Sequence, residues 1–537
     1  MTAFTSFCHK AFFVVTMLLA TQAVQAQFVY VKSTASGLAN GSSWTDAYAD
    51  LQIAIDRVAN GDTILVAGGT YLPSFRLGGD SLRNSTFYFN RDMTVIGGFS
   101  GESGTEGDME SRDLSLHPSI LSGDLGTPGE ETDNAFHVVY IDHVSDTFKL
   151  DGFVIEKGSG VNGAVFDAIG SGIFNSGDNG RSHPTFAHCV IRHNRSGESG
   201  GGYASYASGG KANPRFTHCS FIRNIGGGGG AMSFYTDNSG ESNPILKHCQ
   251  FIGNTALTAQ GGAISCIGHS SKVSPSLINC TFTGNHSPTS QAINIFLTGT
   301  GESEVTIINC TFAGNSGGVI RSSNIGTGPS KIIARNSIFF GNGGGGSNGI
   351  TLSNDEADIA FCLTEFFSLG QSNIFGNPNF IQLPALPVTE AHTDGDVHIA
   401  EDSPAIDMGD NVFVPADITS DLDGLPRFVN PFNGMLGRVD MGAYEIQEST
   451  SDVAPSLPES AWRVYPNPTT ESVMVRMENA SATALLKLID LNGRPVHTSV
   501  KTSCDEVTLD VSNLPAGIYL LQAEWDGKSG TKVIVKE

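Results

Sequence analysis

Apolar and polar positions repeat along the middle of the chain with a period of about 30 residues. Six copies of one element read PTFAHCVIRHN (184–194), PRFTHCSFIRN (214–224), PILKHCQFIGN (244–254), PSLINCTFTGN (275–285), VTIINCTFAGN (305–315) and KIIARNSIFFGN (331–342). A glycine-paired element separates them at 201–206, 229–234, 261–266 and 317–322. Both elements are short, β-branched or aromatic, and bounded by Gly, Asn or Pro, which predicts β-strands.

The period predicts the architecture. A unit of this length cannot bury its apolar face alone, so successive units must stack into a solenoid. The unit is too short for the four strands of a propeller blade but suits a coil of three short strands. We therefore expect an all-β chain: a right-handed parallel β-helix solenoid with an N-terminal capping helix, followed by a small immunoglobulin-like β-sandwich.

Side-chain alternation predicts the register within each coil. In the copy at 305–315, Ile307, Cys310 and Phe312 should point inward and Asn309 should bend the chain. The bend column reads His188, His218, His248, Asn279, Asn309 and Asn336, and a closing column reads Asn194, Asn224, Asn254, Asn285, Asn315 and Asn342. Because Asn and His tolerate the left-handed backbone of a tight bend, we interpret both columns as structural. A metal-binding ladder of imidazoles is the alternative for the histidines.

A third column consists mainly of cysteines. It contains Phe153, Cys189, Cys219, Cys249, Cys280, Cys310, Ser337 and Cys362. Stacked strands place equivalent Cα atoms about 4.8 Å apart with parallel Cβ vectors, whereas a disulfide needs Cβ atoms about 3.8 Å apart. We therefore expect buried free thiols that pack as small apolar side chains.

Segments outside the repeats predict the ends of the solenoid, which is expected to span 27–446. Leu51, Ile55 and Val58 share one face of a helix at about 46–60 that should plug the open end, with the first coil beginning at 62–66. The Asp- and Gly-rich segment at about 403–446 is expected to close the far end. Long loops, which often carry function, are expected at 100–134 and 157–183.

The two termini carry export and sorting features. Residues 1–26 combine a short charged start, an apolar run and small residues before Ala26, which is typical of a secretory signal peptide cut near Ala26–Gln27. No later segment is apolar enough to be an integral membrane segment. A polar, proline-containing linker at 447–460 precedes a separate domain at 461–537. Alternating runs at 472–477, 484–489, 506–511, 517–523 and 531–535 predict its sandwich.

The net charge narrows the range of partners. A formal charge of −24 disfavours nucleic acid and anionic membranes, because no basic cluster offsets it. It also weakens the case for a polyanionic substrate unless a cation bridges the two. The sequence contains no P-loop, zinc-ligand spacing or nucleophile elbow, so no catalytic residue is assigned.

Candidate ligand contacts lie on the repeats. Tyr203, Tyr206 and Tyr235 are predicted to line one exposed face and to stack on sugar rings. Arg192 and Arg223 lie in adjacent coils and are candidates for contacting the same sugar, with a solvated surface ladder as the alternative.

No cofactor is expected apart from a possible calcium ion. Asp417, Asp421 and Asp423 are its candidate ligands, since Asp423-Gly424 permits a tight oxygen-lined turn. The alternative is a loop whose carboxylates accept backbone N–H bonds.

Three resemblances concern the solenoid. The tetrapeptides Gly261-Gly262-Ala263-Ile264 and Phe282-Thr283-Gly284-Asn285 resemble the repeats of chlamydial polymorphic outer-membrane proteins, which are surface adhesins on a β-helix. The pattern from the predicted plug helix through the coils resembles the pectin-lyase-like superfamily. The segment SPAID…DLDG…PR…VDMGAYE (403–445) resembles the choice-of-anchor Q domain, found in surface proteins with varied C-terminal anchors.

The last 77 residues are similar to the type A sorting domain of the type IX secretion system of Bacteroidota. The matching residues are Tyr465-Pro466-Asn467-Pro468, Leu488-Ile489-Asp490-Leu491-Asn492-Gly493, Leu514-Pro515-Ala516-Gly517-Ile518-Tyr519 and Lys532-Val533-Ile534-Val535-Lys536. The resemblance implies passage across the inner membrane by the Sec route, the type IX machinery as a partner, and a secreted or cell-surface location.

These resemblances leave the biochemical task open, because a β-helix hosts both carbohydrate enzymes and passive binders. The preferred hypothesis is an adhesin-like, cell-surface protein that binds an extracellular glycan or a surface protein. The alternative is a polysaccharide lyase or glycoside hydrolase, which needs carboxylates holding Ca²⁺ beside a base, or two carboxylates about 5–9 Å apart. A purely structural surface-layer role is the third possibility.

Overall fold

The structure is a computed structural model that describes residues 28–258, 260–343, 349–365, 370–385, 389–429, 437–447, 462–477, 484–490, 495–502, 506–525 and 528–537. The predicted signal peptide, most of the predicted linker at 447–460 and Gly493 of the sorting motif lie outside the described residues.

Three long sheets form a parallel β-solenoid, which confirms the predicted fold class. Sheet 1 contains Phe28–Val31, Thr63–Ala67, Thr94–Phe99, Lys149–Asp151, Thr185–Ala187, Arg215–Thr217, Ile245–Lys247, Ser276–Ile278, Ser303–Ile308, Ser330–Arg335 and Glu356–Ala360. Sheet 2 contains Gly69–Tyr71, Ser119–Ser122, Phe153–Glu156, Val190–Arg192, Ser220–Ile222, Gln250–Ile252, Thr281–Thr283, Thr311–Ala313, Ile338–Phe340, Leu363–Thr364 and Ile374–Phe375. Sheet 3 contains Phe75–Arg76, Ser85–Phe89, Val139–Asp142, Ile173–Ser176, Tyr203–Ser208, Met232–Asp237, Ile264–His269, Ile293–Thr298, Ile320–Asn324 and Ile350–Ser353.

Shorter elements lie between and beside these sheets. The short parallel strands are Arg181–Ser182, Lys211–Ala212, Glu241–Ser242 and Lys272–Val273, together with the pair Ile225–Gly226 and Thr255–Ala256. An antiparallel pair joins Phe380–Gln382 to Asp396–Ile399, and 3₁₀ turns occupy Leu82–Asn84, Met109–Ser111 and Asn411–Phe413.

The inward faces of the three sheets share one apolar core, and parallel pairing stacks equivalent side chains in columns. Phe221, Phe251, Phe282 and Phe312 stack face to face with ring centroids 5.1, 4.4 and 4.3 Å apart. Such stacked rings bury a large apolar area in every coil. The predicted inward positions Ile307, Cys310 and Phe312 are fully buried.

The polar columns also match the prediction. All six bend residues adopt left-handed backbone, with φ between 49° and 52°. In the closing column, each amide Nδ2 donates to the Oδ1 of the next asparagine at 2.8 to 3.1 Å, from Asn194 through Asn342. The seven described cysteines are free and buried. Stacking therefore satisfies the polar columns and packs the thiols without cross-links.

The helix spans Leu51–Arg57 and buries Leu51 and Ile55 against the first coils. Its Gln52 donates to the carbonyl of Tyr88 and accepts from the Tyr88 N–H, and so satisfies that strand edge. The expectation that the first coil begins at 62–66 is wrong. Phe28–Val31 pairs with Thr63–Ala67 and precedes the helix, because the alternating run FVYV finds an unpaired parallel edge there.

Two further expectations need correction. The segments 100–134 and 157–183 are not plain loops, because they contain strands of sheets 2 and 3 at Ser119–Ser122 and Ile173–Ser176. The described residues of the segment 403–446 do not close the end of the solenoid but run along its side, over the bend column. We call this segment the lateral strap.

Outward apolar and polar groups of the repeats explain the course of the strap. Ile278 and Ile308 point out of the solenoid, and Val414, Ile418 and Val439 cover them. The bend residues supply hydrogen bonds: Asn279 donates to the Ser420 carbonyl at 2.8 Å, and Asn336 exchanges two bonds with the Asp410 backbone. The strap thus buries side chains that the coils alone would leave exposed.

The C-terminal residues form two antiparallel sheets packed on each other. One contains Trp462–Tyr465, Ser472–Met477 and Glu506–Asp510, and the other contains Pro495–Thr502, Ala484–Asp490, Gly517–Trp525 and Lys528–Lys536. The five predicted runs are strands, and Trp462–Tyr465 and Pro495–Thr502 are additional ones. Trp462, Leu486 and Leu521 are among the side chains of their shared core.

Candidate functional site

Sheet 3 carries a row of aromatic side chains on its outer surface. Outward positions stack from coil to coil, so rings on neighbouring strands lie side by side; Tyr88 and Tyr140 share one register position, and Tyr206, Tyr235 and Phe296 share another. The half-buried rings of this row are Tyr88, Tyr140, Tyr206, Tyr235, His269 and Phe296. We call this surface the aromatic face.

The rings of the aromatic face touch one another. Tyr206 and Tyr235 stack with ring centroids 5.3 Å apart and an interplanar angle of 18°. His269 continues the row at 5.4 Å from Tyr235, and Phe296 follows at 6.3 Å from His269. At the other end, Tyr88 and Tyr140 lie 5.9 Å apart. Neighbouring strands thus bring these rings into contact, with His269 reaching Tyr235 and Phe296 from a position two residues further along its strand.

Carboxylates accompany the rings. The Tyr88 hydroxyl donates to Asp142 at 3.2 Å, and the Tyr206 hydroxyl donates to Asp237 at 3.4 Å. Burial, followed by the charges of Asp142 and of nearby residues that include Asp178, raises the pKa of Tyr140 to about 12. The tyrosines therefore stay neutral at physiological pH beside charged oxygen acceptors.

The structure separates the three predicted tyrosines. Tyr206 and Tyr235 are register partners on the outer surface, as expected. Tyr203 is fully buried, and the prediction that it lines the exposed face is wrong. Successive side chains alternate faces, so residues three apart on one strand point in opposite directions. Burial raises the pKa of the Tyr203 hydroxyl well above its ordinary value.

Four rings of the aromatic face were not predicted. Phe296 follows Tyr235 through strand register by way of Ile267, and His269 lies two residues beyond Ile267 on the same face of its strand. Tyr88 and Tyr140 precede the clear repeats, and the sequence offers no periodic signal for them.

The two predicted arginines do not join the tyrosines. Arg192 lies on sheet 2, where its Nε donates to Glu156 at 2.7 Å. Its register partner is Ile222, not Arg223. Arg223 sits in a left-handed turn and donates to the Thr393 hydroxyl at 3.1 Å. The expected stack of these arginines in adjacent coils is therefore wrong, because the residues occupy different positions of the repeat.

The candidate calcium ligands have separate partners in the lateral strap. Asp417 pairs with Lys247, and Asp423 accepts from His398 Nε2 at 2.8 Å. Asp421 accepts backbone N–H bonds from Asp423, Leu425 and Glu445 at 2.9 to 3.0 Å. Across the described residues, no group of three or more His, Cys, Asp or Glu side chains is arranged to hold a metal ion. The hydrogen bonds favour the turn-forming interpretation of Asp421, and calcium binding stays a prediction.

The bend histidines stack as a ladder without converging on one point. The rings of His188 and His218 lie 5.3 Å apart, and those of His218 and His248 lie 4.6 Å apart. His188 bonds to Asp151 at 3.0 Å, whereas His248 contacts the Asp421 carbonyl at 3.1 Å. Burial, followed by the neighbouring imidazoles, lowers the pKa of His218. The stacked histidines therefore stabilise the bends of the coils and the contact with the lateral strap.

A buried charge cluster ties the lateral strap together. Arg427 is fully buried, and its Nε lies 3.5 Å from a carboxylate oxygen of Glu445. Its Nη2 donates to the Asp440 carbonyl at 3.0 Å. Burial raises the pKa of Asp440 to about 6 and that of Glu445 to about 9. These groups face the solenoid rather than solvent. This position suits attachment of the strap to the solenoid and not catalysis.

A second surface feature is a groove of about 500 Å³ beside the start of the sheet 1 strands. Lys272, Lys331, Glu302, Glu304 and Glu356 line it with several hydroxyls and two prolines. Lys331 Nζ lies 3.8 Å from Glu356 and 3.7 Å from Asp358, which leaves it loosely paired. The groove combines amines with carboxylates, the residue types that acid–base chemistry requires.

The C-terminal sorting motif is hydrogen-bonded to the last strand. Asn467 donates to the Val533 carbonyl at 2.7 Å and accepts from the Val535 N–H at 2.8 Å. Tyr465 bonds to Glu506 at 2.9 Å, and Pro466 and Pro468 follow cis peptide bonds. Gly517 begins the strand that pairs with the last strand. The predicted motif residues that the structure describes therefore organise one edge of the sandwich.

Comparisons with known proteins bear on both parts of the chain. Residues 463–537 match the family described as "Secretion system C-terminal sorting domain". A comparison with the curated proteins finds no match. Among solved structures, the chain is similar to "Crystal structure of pectate lyase Pel9A", with 14% identity, a TM-score of 0.41, and coverage of 79% of this chain and 98% of that chain.

The matched tail implies export by the type IX secretion system and attachment at the cell surface. Within the described residues, no helix has the length and apolar character needed to cross a membrane. The chain is thus a secreted β-solenoid that carries a C-terminal sorting domain.

Proposed function

We propose that this protein binds glycans at the cell surface through the aromatic face of sheet 3. The observation that carries the proposal is the row of half-exposed rings from Tyr206 through Phe296, spaced 5.3 to 6.3 Å apart. Sugar rings present C–H faces that pack on aromatic rings, and their hydroxyls need nearby polar partners. The hydroxyls of Tyr206 and Tyr235 and the carboxylate of Asp237 provide such partners.

The shape of the site favours a chain over a single sugar. The ring column runs along the solenoid axis and offers several contacts in line, each weak and together additive. The outer surface of a stacked sheet extends over many coils, which suits an extended polymer. Surface attachment through the sorting domain places this face outside the cell, where polysaccharides are met.

The proposal is tested by retention of the full chain on a panel of insoluble polysaccharides, followed by titration with oligosaccharides of the polymer that retains it. The double variant Tyr206→Ala/Tyr235→Ala should lose binding, because each stacked ring contributes about 1 kcal/mol or more. Phe375→Ala is the matched control, since Phe375 is an exposed ring on sheet 2. Equal retention of the double variant and the wild type would refute the proposal.

An enzymatic role is the second candidate, and the groove beside Lys272 and Lys331 favours it. Glutamates and a loosely paired lysine in one open groove provide an acid and a base for a lyase or a hydrolase. The test is the release of new reducing ends from the same panel, with Ca²⁺ and then with chelator. Release that Lys331→Met abolishes and Tyr206→Ala does not would assign catalysis to the groove. No release from any polysaccharide would remove this candidate.

A further inference from the structure

The aromatic face combines π-surfaces with carboxylates, and this combination bears on the kind of sugar that fits. Asp142 and Asp237 occupy outward positions of sheet 3, and Asp178 follows the strand between them. Asp142 contacts Tyr88, and Asp237 contacts Tyr206, so each carboxylate adjoins an exposed ring. Asp237 also lies two residues beyond Tyr235 on the same strand and therefore on the same face, next to a third ring.

Arg181, Lys211 and Lys272 lie on the short sheet beside sheet 3, and within the described residues no ion pair joins a lysine or arginine to Asp142, Asp178 or Asp237. His143 bonds to Asp142 and is the titratable group next to it. Arg321 is an outward basic residue of sheet 3, but it lies three strands beyond Met232–Asp237, roughly 14 Å away at the usual strand spacing. Lys211 is paired with Glu241 on the neighbouring short sheet. The end of the aromatic face that carries Asp142, Asp178 and Asp237 therefore presents negative charge to solvent.

Resting on the proposed function, we infer that the aromatic face selects glycans whose sugars carry free amino groups. A protonated amine is attracted to the face of a tyrosine ring and to a carboxylate at the same time. A uronate or sulfated sugar would instead be repelled by Asp142, Asp178 and Asp237. A neutral sugar gains the stacking contact alone.

The overall charge of the chain also favours glycans that carry free amino groups. At −24, the chain repels polyanions over distances comparable to the screening length and attracts polycations. Attraction of a polyamine glycan by charge alone would not depend on particular residues. The inference therefore requires that the carboxylates beside the rings matter more than carboxylates elsewhere on the surface.

The experiment titrates the full chain with a β-1,4-linked glucosamine hexamer and with its N-acetylated counterpart. We expect the free-amine hexamer to bind about tenfold or more tightly, because one charge-assisted contact is worth about 1.4 kcal/mol or more. Its affinity should fall when salt rises from about 0.05 M to about 0.5 M, whereas binding of the acetylated hexamer should not.

Two double variants separate the site from the general charge. Asp142→Asn/Asp237→Asn should remove the preference for the free amine, so that the two hexamers bind with similar affinity. Glu401→Gln/Asp402→Asn removes the same charge at exposed positions just before the strap and should change nothing. The inference is overturned if the two hexamers bind equally to the wild type, or if both double variants change the preference for the free amine to the same extent. If no glycan of any kind binds, the proposed function fails, which is a different outcome from binding without preference.

Discussion

The side-chain amide of Asn254 donates to the Oδ1 of Asn285 at 2.9 Å inside the solenoid, where both residues are fully buried. The same oxygen of Asn285 also accepts the Asn254 N–H at 3.0 Å. One asparagine per coil thus satisfies the backbone of its neighbour as well as its own amide. A buried polar column of this kind is stable only because every member has partners on both sides.

Asn254→Ala should lower the free energy of unfolding by about 3 kcal/mol. The change removes bonds to Asn285 and to the Phe221 carbonyl and leaves the Asn224 amide without its acceptor, each at a cost of about 1–3 kcal/mol. Chemical denaturation followed by circular dichroism measures the loss. Asn60→Ala, at an exposed position, is the control. A loss below about 1 kcal/mol would show that the column does not hold the coils together.

The buried thiols should be unreactive in the folded protein. All seven described thiols are buried out of reach of the reagent, and burial raises the pKa of Cys362 to about 12, so its thiolate is scarce. Iodoacetamide labelling with peptide mapping should show the seven described cysteines unmodified in buffer and labelled in denaturant. Labelling of column peptides under native conditions would contradict the burial of this column.

Replacement of a column cysteine by serine should be tolerated. Ser337 already occupies this column, where its hydroxyl donates to the Arg335 carbonyl at 2.8 Å and accepts from the Cys310 N–H at 3.1 Å. Cys249→Ser can make the equivalent bond to the Lys247 carbonyl, which Cys249 now approaches at 3.3 Å. We expect a loss of about 1 kcal/mol in the free energy of unfolding, against about 2 kcal/mol for the overpacked Cys249→Leu. The reverse order would show that shape does not limit the column.

The columns could be predicted because the period of about 30 residues and the alternation of side chains leave one consistent register. Asn309 and Cys310 illustrate this, since adjacent positions take opposite roles in every copy. The candidate site could be predicted only in part. Tyr88 and Tyr140 lie in coils that precede the clear repeats, and they occupy the register position of Ala204 and not that of Tyr206, so the repeat pattern could not predict them.

The lateral strap shows a second limit. Its composition of Asp, Gly and Pro indicates turns, but the partners of those turns are residues more than 70 positions away, such as Asn336 for Asp410. The sequence signal for the strap was the pair Ile278 and Ile308 at outward positions. Two large apolar side chains on an otherwise solvated surface indicate that another segment packs over them.

The strap should lose stability as pH rises. Asp440 has an ordinary pKa of 3.8 that burial raises to about 6. The folded protein therefore holds a proton at Asp440 that the unfolded chain releases. The stability that this carboxyl contributes is fully present below about pH 4 and is lost as the pH rises through 6. The effect amounts to at most about 3 kcal/mol. Glu445, raised to about 9, extends the same trend to higher pH.

Denaturation of wild type and Asp440→Asn at pH 4, 5, 6 and 7 measures this dependence. Asparagine cannot ionise, and its one oxygen keeps only one of the two backbone bonds, because the Asp407 and Ile446 N–H groups donate to different oxygens of Asp440. The variant should show a flatter profile between pH 4 and 6 than the wild type. Asp402→Asn, which is exposed, should keep the wild-type slope. A wild-type slope in Asp440→Asn would mean that other groups set the dependence.

Tyr203 and Tyr206 lie three residues apart on one strand and should respond in opposite ways to the same substitution. Tyr203 is enclosed by Phe186, Phe216 and Phe234 with ring centroids 5.1 to 6.0 Å away, so Tyr203→Ala leaves a cavity and should cost about 3–5 kcal/mol of unfolding free energy. Tyr206→Ala removes a half-exposed ring and should cost less than about 1 kcal/mol.

Glycan retention should separate the same two residues. Tyr203→Phe keeps the core filled and should bind like the wild type, whereas Tyr206→Ala should bind several-fold more weakly, because one stacking contact is worth about 1 kcal/mol. Measuring stability and retention on the same preparations links each loss to its cause. If Tyr206→Ala lost stability in proportion to its loss of binding, the aromatic face would be part of the scaffold, and the proposed site would have to be sought elsewhere on the solenoid.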